Sequence, residues 1–229
     1  MQPNLQYVGT SSASSQAQFR VLRNTYLLLA LSLIPTVIGA FIGINLNFAF
    51  MASSPFVSFI VFMVVFYGLM FMIEKNKDSS LGVALLLLFT LLMGVMLGPI
   101  LQVAIGMNAS GMIALAAGGT AVTFFGLAAI GSVAKRDFGF LANFLMVGFF
   151  VLVIAMIANA FLNIPALALA ISGVFILFSS AAILFTVNRI VRGGETNYVS
   201  ATLTLYISIY NIFVNLLNIL LALTGGGRD

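Results

Sequence analysis

The chain has 229 residues, of which 62% are hydrophobic and only 6% are Asp, Glu, Lys or Arg, against about 25% charged in an ordinary soluble domain. So few charges cannot cover a soluble fold of this size, and the solvent for most of the chain is lipid. Cysteine and histidine are absent altogether, which excludes a disulfide framework, a thiol nucleophile, a His-assisted serine triad and any His- or Cys-based metal site.

The first 24 residues are rich in Ser, Gln and Asn and lack apolar periodicity, which predicts a flexible tail. Arg20 and Arg23 precede the first apolar run, Tyr26–Ile44. This run exceeds the 7–15 residues of a signal-peptide core and reads as an uncleaved first span. A polar stretch from Asn45 ends at Pro55, placed to start the second span, Pro55–Ile73. The turn Glu74-Lys75-Asn76-Lys77-Asp78 leads into the third, Leu81–Leu101, with Pro99 near its end. The fourth span is Met112–Ala134 and stops at Lys135-Arg136-Asp137. The fifth is Phe140–Leu162, and Pro165 opens the sixth, which runs to Val187. A loop holding Arg189, Arg192, Gly193, Gly194 and Glu195 precedes the seventh, Val199–Leu223. Since a bilayer core roughly 30 Å thick takes about 20 apolar residues per helix, seven spans leave no room for a sizeable soluble domain. The expected organisation is an all-α integral membrane bundle: a tail at 1–24, seven transmembrane helices over 25–223 and a short external tail at 224–229.

Lys and Arg accumulate on the cytoplasmic side of membrane proteins. Arg20, Arg23, Lys75, Lys77, Lys135, Arg136, Arg189 and Arg192 all fall on one side of a seven-span chain, and only Arg228 falls on the other. The N-terminus is therefore expected in the cytoplasm and the C-terminus outside. The net charge of +4 follows from this topology rather than from a nucleic-acid-binding patch.

The last span carries the most informative pattern. Thr204, Ser208, Asn211, Asn215 and Asn218 recur at spacings of 4, 3, 4 and 3, which places them on one helical face. Asn197 and Ser200 extend the stripe toward the basic side. Polar side chains facing lipid are costly, so this face is expected to point into the bundle. Two readings stand: a hydrophilic path beside the last helix, or interhelical hydrogen bonds worth about 0.6 kcal/mol each that fix the packing. Gly39-x-x-x-Gly43 and Gly94-x-x-x-Gly98 permit close backbone approach and read as packing motifs.

The acids sit at the membrane edge: Glu74, Asp78, Asp137 and Glu195 on the basic side, with Asp229 terminal. No ionisable side chain is predicted at mid-membrane, where proton relays and ion coupling usually need one. No base is placed beside a serine. The expectation is a protein without enzymatic activity, cofactor or metal.

The segment Ala182-Ile183-Leu184-Phe185, the loop Gly193-Gly194-Glu195-Thr196-Asn197-Tyr198 and the stretch Leu205-Tyr206-Ile207-Ser208-Ile209-Tyr210-Asn211-Ile212-Phe213 resemble the C-terminal signature of the Bax inhibitor-1 family. Supporting segments, among them Val21-Leu22-Arg23-Asn24-Thr25-Tyr26, Leu97-Gly98-Pro99-Ile100-Leu101 and Ile164-Pro165-Ala166-Leu167, spread the resemblance over nearly the whole chain. It implies a seven-helix fold with the last helix central. The similarity is greatest to a bacterial inner-membrane subgroup, which implies a multi-pass inner-membrane protein that binds the FtsH protease, modulates it and is slowly degraded by it. Other family members act as calcium leaks through an Asp pair on the last two helices. The matching positions here are Thr186 and Ser208, which carry no charge, whereas calcium favours carboxylate oxygens. An ion leak or transporter is thus the alternative expectation, with the usual Asp pair missing.

Overall fold

Pro55, Pro99 and Pro165 mark points where helices begin or break, while Pro35 lies within the continuous first helix. The structure, a computed structural model, describes residues 5–48, 54–134 and 136–225, with backbone alone at 5–14, 55, 56 and 59. Lys135, Arg228 and Asp229 lie outside the described residues, as does the tail from 226 onward. Among the described residues there are helices and no strands: α1 Leu5–Asn45, α2 Pro55–Lys75, α3 Ser80–Met96, α4 Gly98–Gly106, α5 Ser110–Val133, α6 Leu141–Leu162, α7 Pro165–Val191 and α8 Tyr198–Gly225. Pro55 and Pro165 open α2 and α7, where a missing N–H costs nothing. Asn163 ends α6 in the left-handed region at φ 50°, its N–H bonded to the Asn159 carbonyl at 2.8 Å. Gly193, at φ 76°, closes α7 with the backbone freedom that glycine alone supplies cheaply.

Two boundaries differ from the sequence reading. The third span is two helices: α3 closes at Met96, the Leu97 N–H bonds the Gly94 carbonyl at 3.0 Å, and α4 starts at Gly98. Pro99 accounts for the break, since its ring collides with the carbonyl four residues earlier and it has no N–H to offer. Together α3 and α4 form one 27-residue column, Ser80–Gly106. The segment expected to be a flexible tail is helical from Leu5 onward. Its Ser, Ala and Gln residues have small helix penalties, and an established span propagates into them at little cost.

Counting α3 and α4 as one column, the described residues make seven. Six are long and apolar enough to cross a membrane among the described residues; α2, the seventh, has 21 residues and carries charge only at its last two positions. The last helix is the centre of the bundle. It packs against α1, α2, α3, α4, α5 and α7, while α6 lies outside and touches only α7. Leu205, Tyr206, Ile212 and Leu217 of α8 are all at most 2% exposed. The Tyr206 hydroxyl donates to the Thr90 carbonyl of α3 at 3.3 Å and lies 2.8 Å from Thr36 Oγ1 of α1. Thr202 of α8 donates to the Thr25 carbonyl of α1 at 3.2 Å. Thr202 also donates one turn back to the Tyr198 carbonyl at 2.6 Å, so the Tyr206 hydroxyl is the firmer tie between the central helix and its neighbours.

The two glycine motifs meet each other. A Cβ on Gly39 would overlap the Leu91 carbonyl oxygen, one on Gly94 the Thr36 carbonyl, one on Gly43 the Val95 carbonyl and one on Gly98 the Gly43 carbonyl. In lipid no hydrophobic force drives helices together, so this backbone contact supplies the dispersion that holds α1 to α3. At the end of this seam the Gln102 amide of α4 donates to the carbonyls of Gly43, Ile44 and Leu46 at 3.2, 2.9 and 2.8 Å. It satisfies carbonyls that the end of a helix otherwise leaves open.

Candidate functional site

The charged segments expected on one side do assemble at one end of the bundle. Asn197 caps α8 through its Oδ1, which accepts from the Val199 and Ser200 N–H groups at 2.9 and 3.1 Å. Its amide donates to Asp78 Oδ1 at 2.8 Å and to the Lys77 carbonyl at 3.2 Å. Ser200 donates to Glu74 Oε2 at 3.0 Å, which also holds Lys77 at 3.2 Å. Arg189 donates to the Gly194 carbonyl at 2.8 Å, lies 3.7 Å from Glu195 and sits over the Phe185 ring. The α2–α3 turn, the α7–α8 loop and the start of α8 are thereby one polar cap. Asn188, 2% exposed, ties in the α5–α6 loop. Its Oδ1 accepts from the Phe138 N–H at 3.2 Å and its amide reaches the Arg136 carbonyl at 3.3 Å.

Beneath this cap a recess of about 370 Å³ lies between α7 and α8, reached by α2 and α6. Glu74, Arg189 and Glu195 stand at its mouth. Deeper in, Ser179 and Thr186 of α7 face Thr204, Ser208 and Asn211 of α8. Thr186 and Ser208, the two positions matched to the family's Asp pair, therefore do line one recess. Ser179 is 1% exposed and its hydroxyl has no hydrogen-bond partner, an arrangement that a buried polar group ordinarily avoids.

The expected polar face is only partly turned inward. Ser208 is buried, Thr204 is exposed into the open recess, Asn211 and Asn215 are half-buried, and Asn218 is exposed. The structure brings Thr204, Ser208 and Asn211 together with Thr186 and leaves Asn215 and Asn218 beyond the recess. Nor does the stripe bond across helices at mid-span. Thr204 donates to the Ser200 carbonyl at 3.1 Å, Ser208 to the Thr204 carbonyl at 2.8 Å and Asn215 to the Asn211 carbonyl at 2.7 Å. Such bonds one turn back satisfy hydroxyls and amides inside their own helix. Only the stripe's first members, Asn197 and Ser200, bond other helices.

Sequence reasoning passed over Ser179. Its signal was present, for Ser172, Ser179 and Thr186 recur every seven residues along α7 and all three are at most 8% exposed. Gln102 and Asn188 were also missed, because a lone amide in an apolar chain says nothing about which distant carbonyls it meets.

Apolar helical columns, charges confined to the ends and a polar-faced central last helix define a multi-pass helical membrane protein. The chain belongs to the Bax inhibitor-1 family: the family model Bax1-I, "Inhibitor of apoptosis-promoting Bax1", matches residues 18–225. Among its relatives, the "Modulator of FtsH protease YccA" of Escherichia coli is 46% identical over 201 residues, covering 88% of this chain and 89% of that protein. An uncharacterized protein of Neisseria meningitidis serogroup A is 44% identical over 217 residues, covering 93% and 96%. An uncharacterized membrane protein of Vibrio cholerae is 40% identical over 202 residues, covering 88% of each.

Proposed function

We propose that this chain is a non-enzymatic regulator of membrane-protein quality control that binds the FtsH protease and limits its action on other substrates. The observation that carries this reading is the 46% identity, along 88% of the chain, to a protein named as a modulator of that protease. The chemistry of the recess agrees with it. Its deeper lining is uncharged hydroxyls and an amide, Ser179, Thr186, Thr204, Ser208 and Asn211, groups suited to binding by hydrogen bonds. The basic end of the bundle is then the cytoplasmic face of a bacterial inner membrane, as the side preference of Lys and Arg requires, and the C-terminus is periplasmic.

In this account the protease grips the N-terminal end. The grip lies N-terminal to Gln18, whose amide lies against Gly193 beside the polar cap. Deleting residues 2–14 should lengthen the half-life of the chain at least threefold in cells with active FtsH. A half-life unchanged by the deletion would remove the N-terminal grip from the account.

The recess supports a second reading, an ion leak of the family type, because it joins Glu74 and Glu195 at the mouth to Ser208 and Asn211 inside. Reconstituted vesicles separate the two. Protein-dependent calcium or proton flux that disappears in Ser208→Ala or Asn211→Ala favours the leak, and flux equal to empty vesicles favours the regulator.

A further inference from the structure

On the side of α8 away from the recess, the backbones of α1 and α5 stay apart. The gap is a cleft of about 740 Å³ floored by α8. Leu29 and Leu33 of α1 form one wall, Phe125 and Ala121 of α5 the other, and Tyr210 and Phe213 of α8 the floor. The Tyr26 and Phe124 rings meet edge to face across it, with centroids 6.1 Å apart. Such a cleft in a membrane protein opens on hydrocarbon, not on water. Water is a poor occupant of an apolar space. A lipid acyl chain, the apolar molecule that surrounds this face in a bilayer, is a good one.

Its end at the polar cap is charged. Tyr26 and Ser132 line that end. Arg23 lies one turn before Tyr26 on the neighbouring face of α1, and Arg136 follows Ser132 by four residues just beyond the end of α5. Arg20 and Arg23 are exposed and make no hydrogen bond or ion pair among the described residues. The Arg136 guanidinium is turned to the Phe140 ring, so the cations at the mouth of this apolar groove are those of α1, and they match one ligand, a phospholipid whose chain fills the groove and whose phosphate meets Arg23. We propose that the α1–α5 cleft is a binding site for a single anionic phospholipid of the leaflet at the basic end of the bundle.

The test is native mass spectrometry of the full-length protein in detergent, titrated with phosphatidylglycerol or with phosphatidylcholine of the same chains. One phosphatidylglycerol per chain is expected to survive detergent stripping, with phosphatidylcholine retained at least fivefold less. Ala121→Phe, which projects a ring into the groove, should lower retention at least fivefold. Val122→Phe, on the neighbouring exposed face, should leave it unchanged and shows that the added ring does not itself unfold the protein. Arg23→Gln should reduce the preference for the anionic lipid about fivefold, and Arg136→Gln, on a guanidinium turned to Phe140, should change it less. Equal retention of the two lipids would overturn the headgroup assignment. Equal effects of Ala121→Phe and Val122→Phe would overturn the cleft as the site. A dimer that Ala121→Phe abolishes, with no lipid retained, would assign the cleft to a second copy of the chain and overturn the proposal.

Discussion

The two sides of α8 enclose two spaces of opposite chemistry. Toward α7 it presents Thr204, Ser208 and Asn211 to a recess capped by Glu74, Arg189 and Glu195. Toward α1 and α5 it presents Tyr206, Ile209, Tyr210 and Phe213 to an apolar cleft. Thr204 and Tyr206, or Ser208 and Tyr210, are two residues apart, and two steps of about 100° put them on opposite faces of the helix. A single central helix thus separates a polar space under the ion-paired cap from an apolar one beside the lipid. The comparison teaches that the polar stripe of the last helix serves the recess more than the packing. Beyond the cap, the hydroxyls of Thr204 and Ser208 bond their own helix, and Tyr206 supplies the bonds to α1 and α3.

The apolar cleft has α1 for one wall and so depends on the seam that fixes α1, where the largest effect is expected. Gly94→Leu places a side chain into the Thr36 backbone and should cost about 3 kcal/mol or more, the upper end of overpacking. The check is a large fall in Tm in detergent, or failure to recover monodisperse protein. Gly68→Leu, where a Cβ meets nothing within 4 Å, should change Tm little. Equal behaviour of the two variants would dissolve the seam argument. Next comes Asn188→Ala. It strips the α5–α6 loop of a buried tether that both donates and accepts and should cost about 1–3 kcal/mol, read from chemical denaturation.

Tyr206→Phe removes the hydroxyl shared by Thr36 and Thr90 on the apolar side and should cost about 0.6–1.7 kcal/mol, as interhelical bonds in membranes do. Ser208→Ala on the polar side should cost less than about 0.5 kcal/mol, because it deletes a bond internal to α8. Measured side by side in the same denaturation assay, these two variants sharpen the contrast between the faces. A Ser208→Ala loss as large as that of Tyr206→Phe would return the stripe to a packing role.

Much of this architecture was legible because lipid imposes simple rules. The length of the apolar runs gave the columns, the basic residues marked one end, and the periodicity of Thr204, Ser208 and Asn211 found one wall of the recess. Pro99 was visible, yet whether it bends a helix or divides it depends on local backbone, and the structure divides it. Periodicity on α8 implied that Asn218 also faces inward. It is exposed because a repeating face says nothing about where the neighbouring helices stop covering it. The cleft between α1 and α5 left no trace in the sequence, since it results from two helices whose backbones stay apart and meet only through side chains such as Tyr26 and Phe124. The meeting of the Gly39 and Gly94 motifs is of the same kind: each was readable alone, and only the fold pairs them.

The central claim is regulation of FtsH, and its most direct test is a degradation rate. Purified FtsH, reconstituted with ATP and a membrane-anchored reporter substrate, would be assayed with and without an equimolar amount of this chain in the same bilayer. The account predicts reporter turnover slowed severalfold by the full-length chain, with the inhibition weakened when residues 2–14 are removed. Reporter turnover unchanged by the intact, folded chain would contradict it.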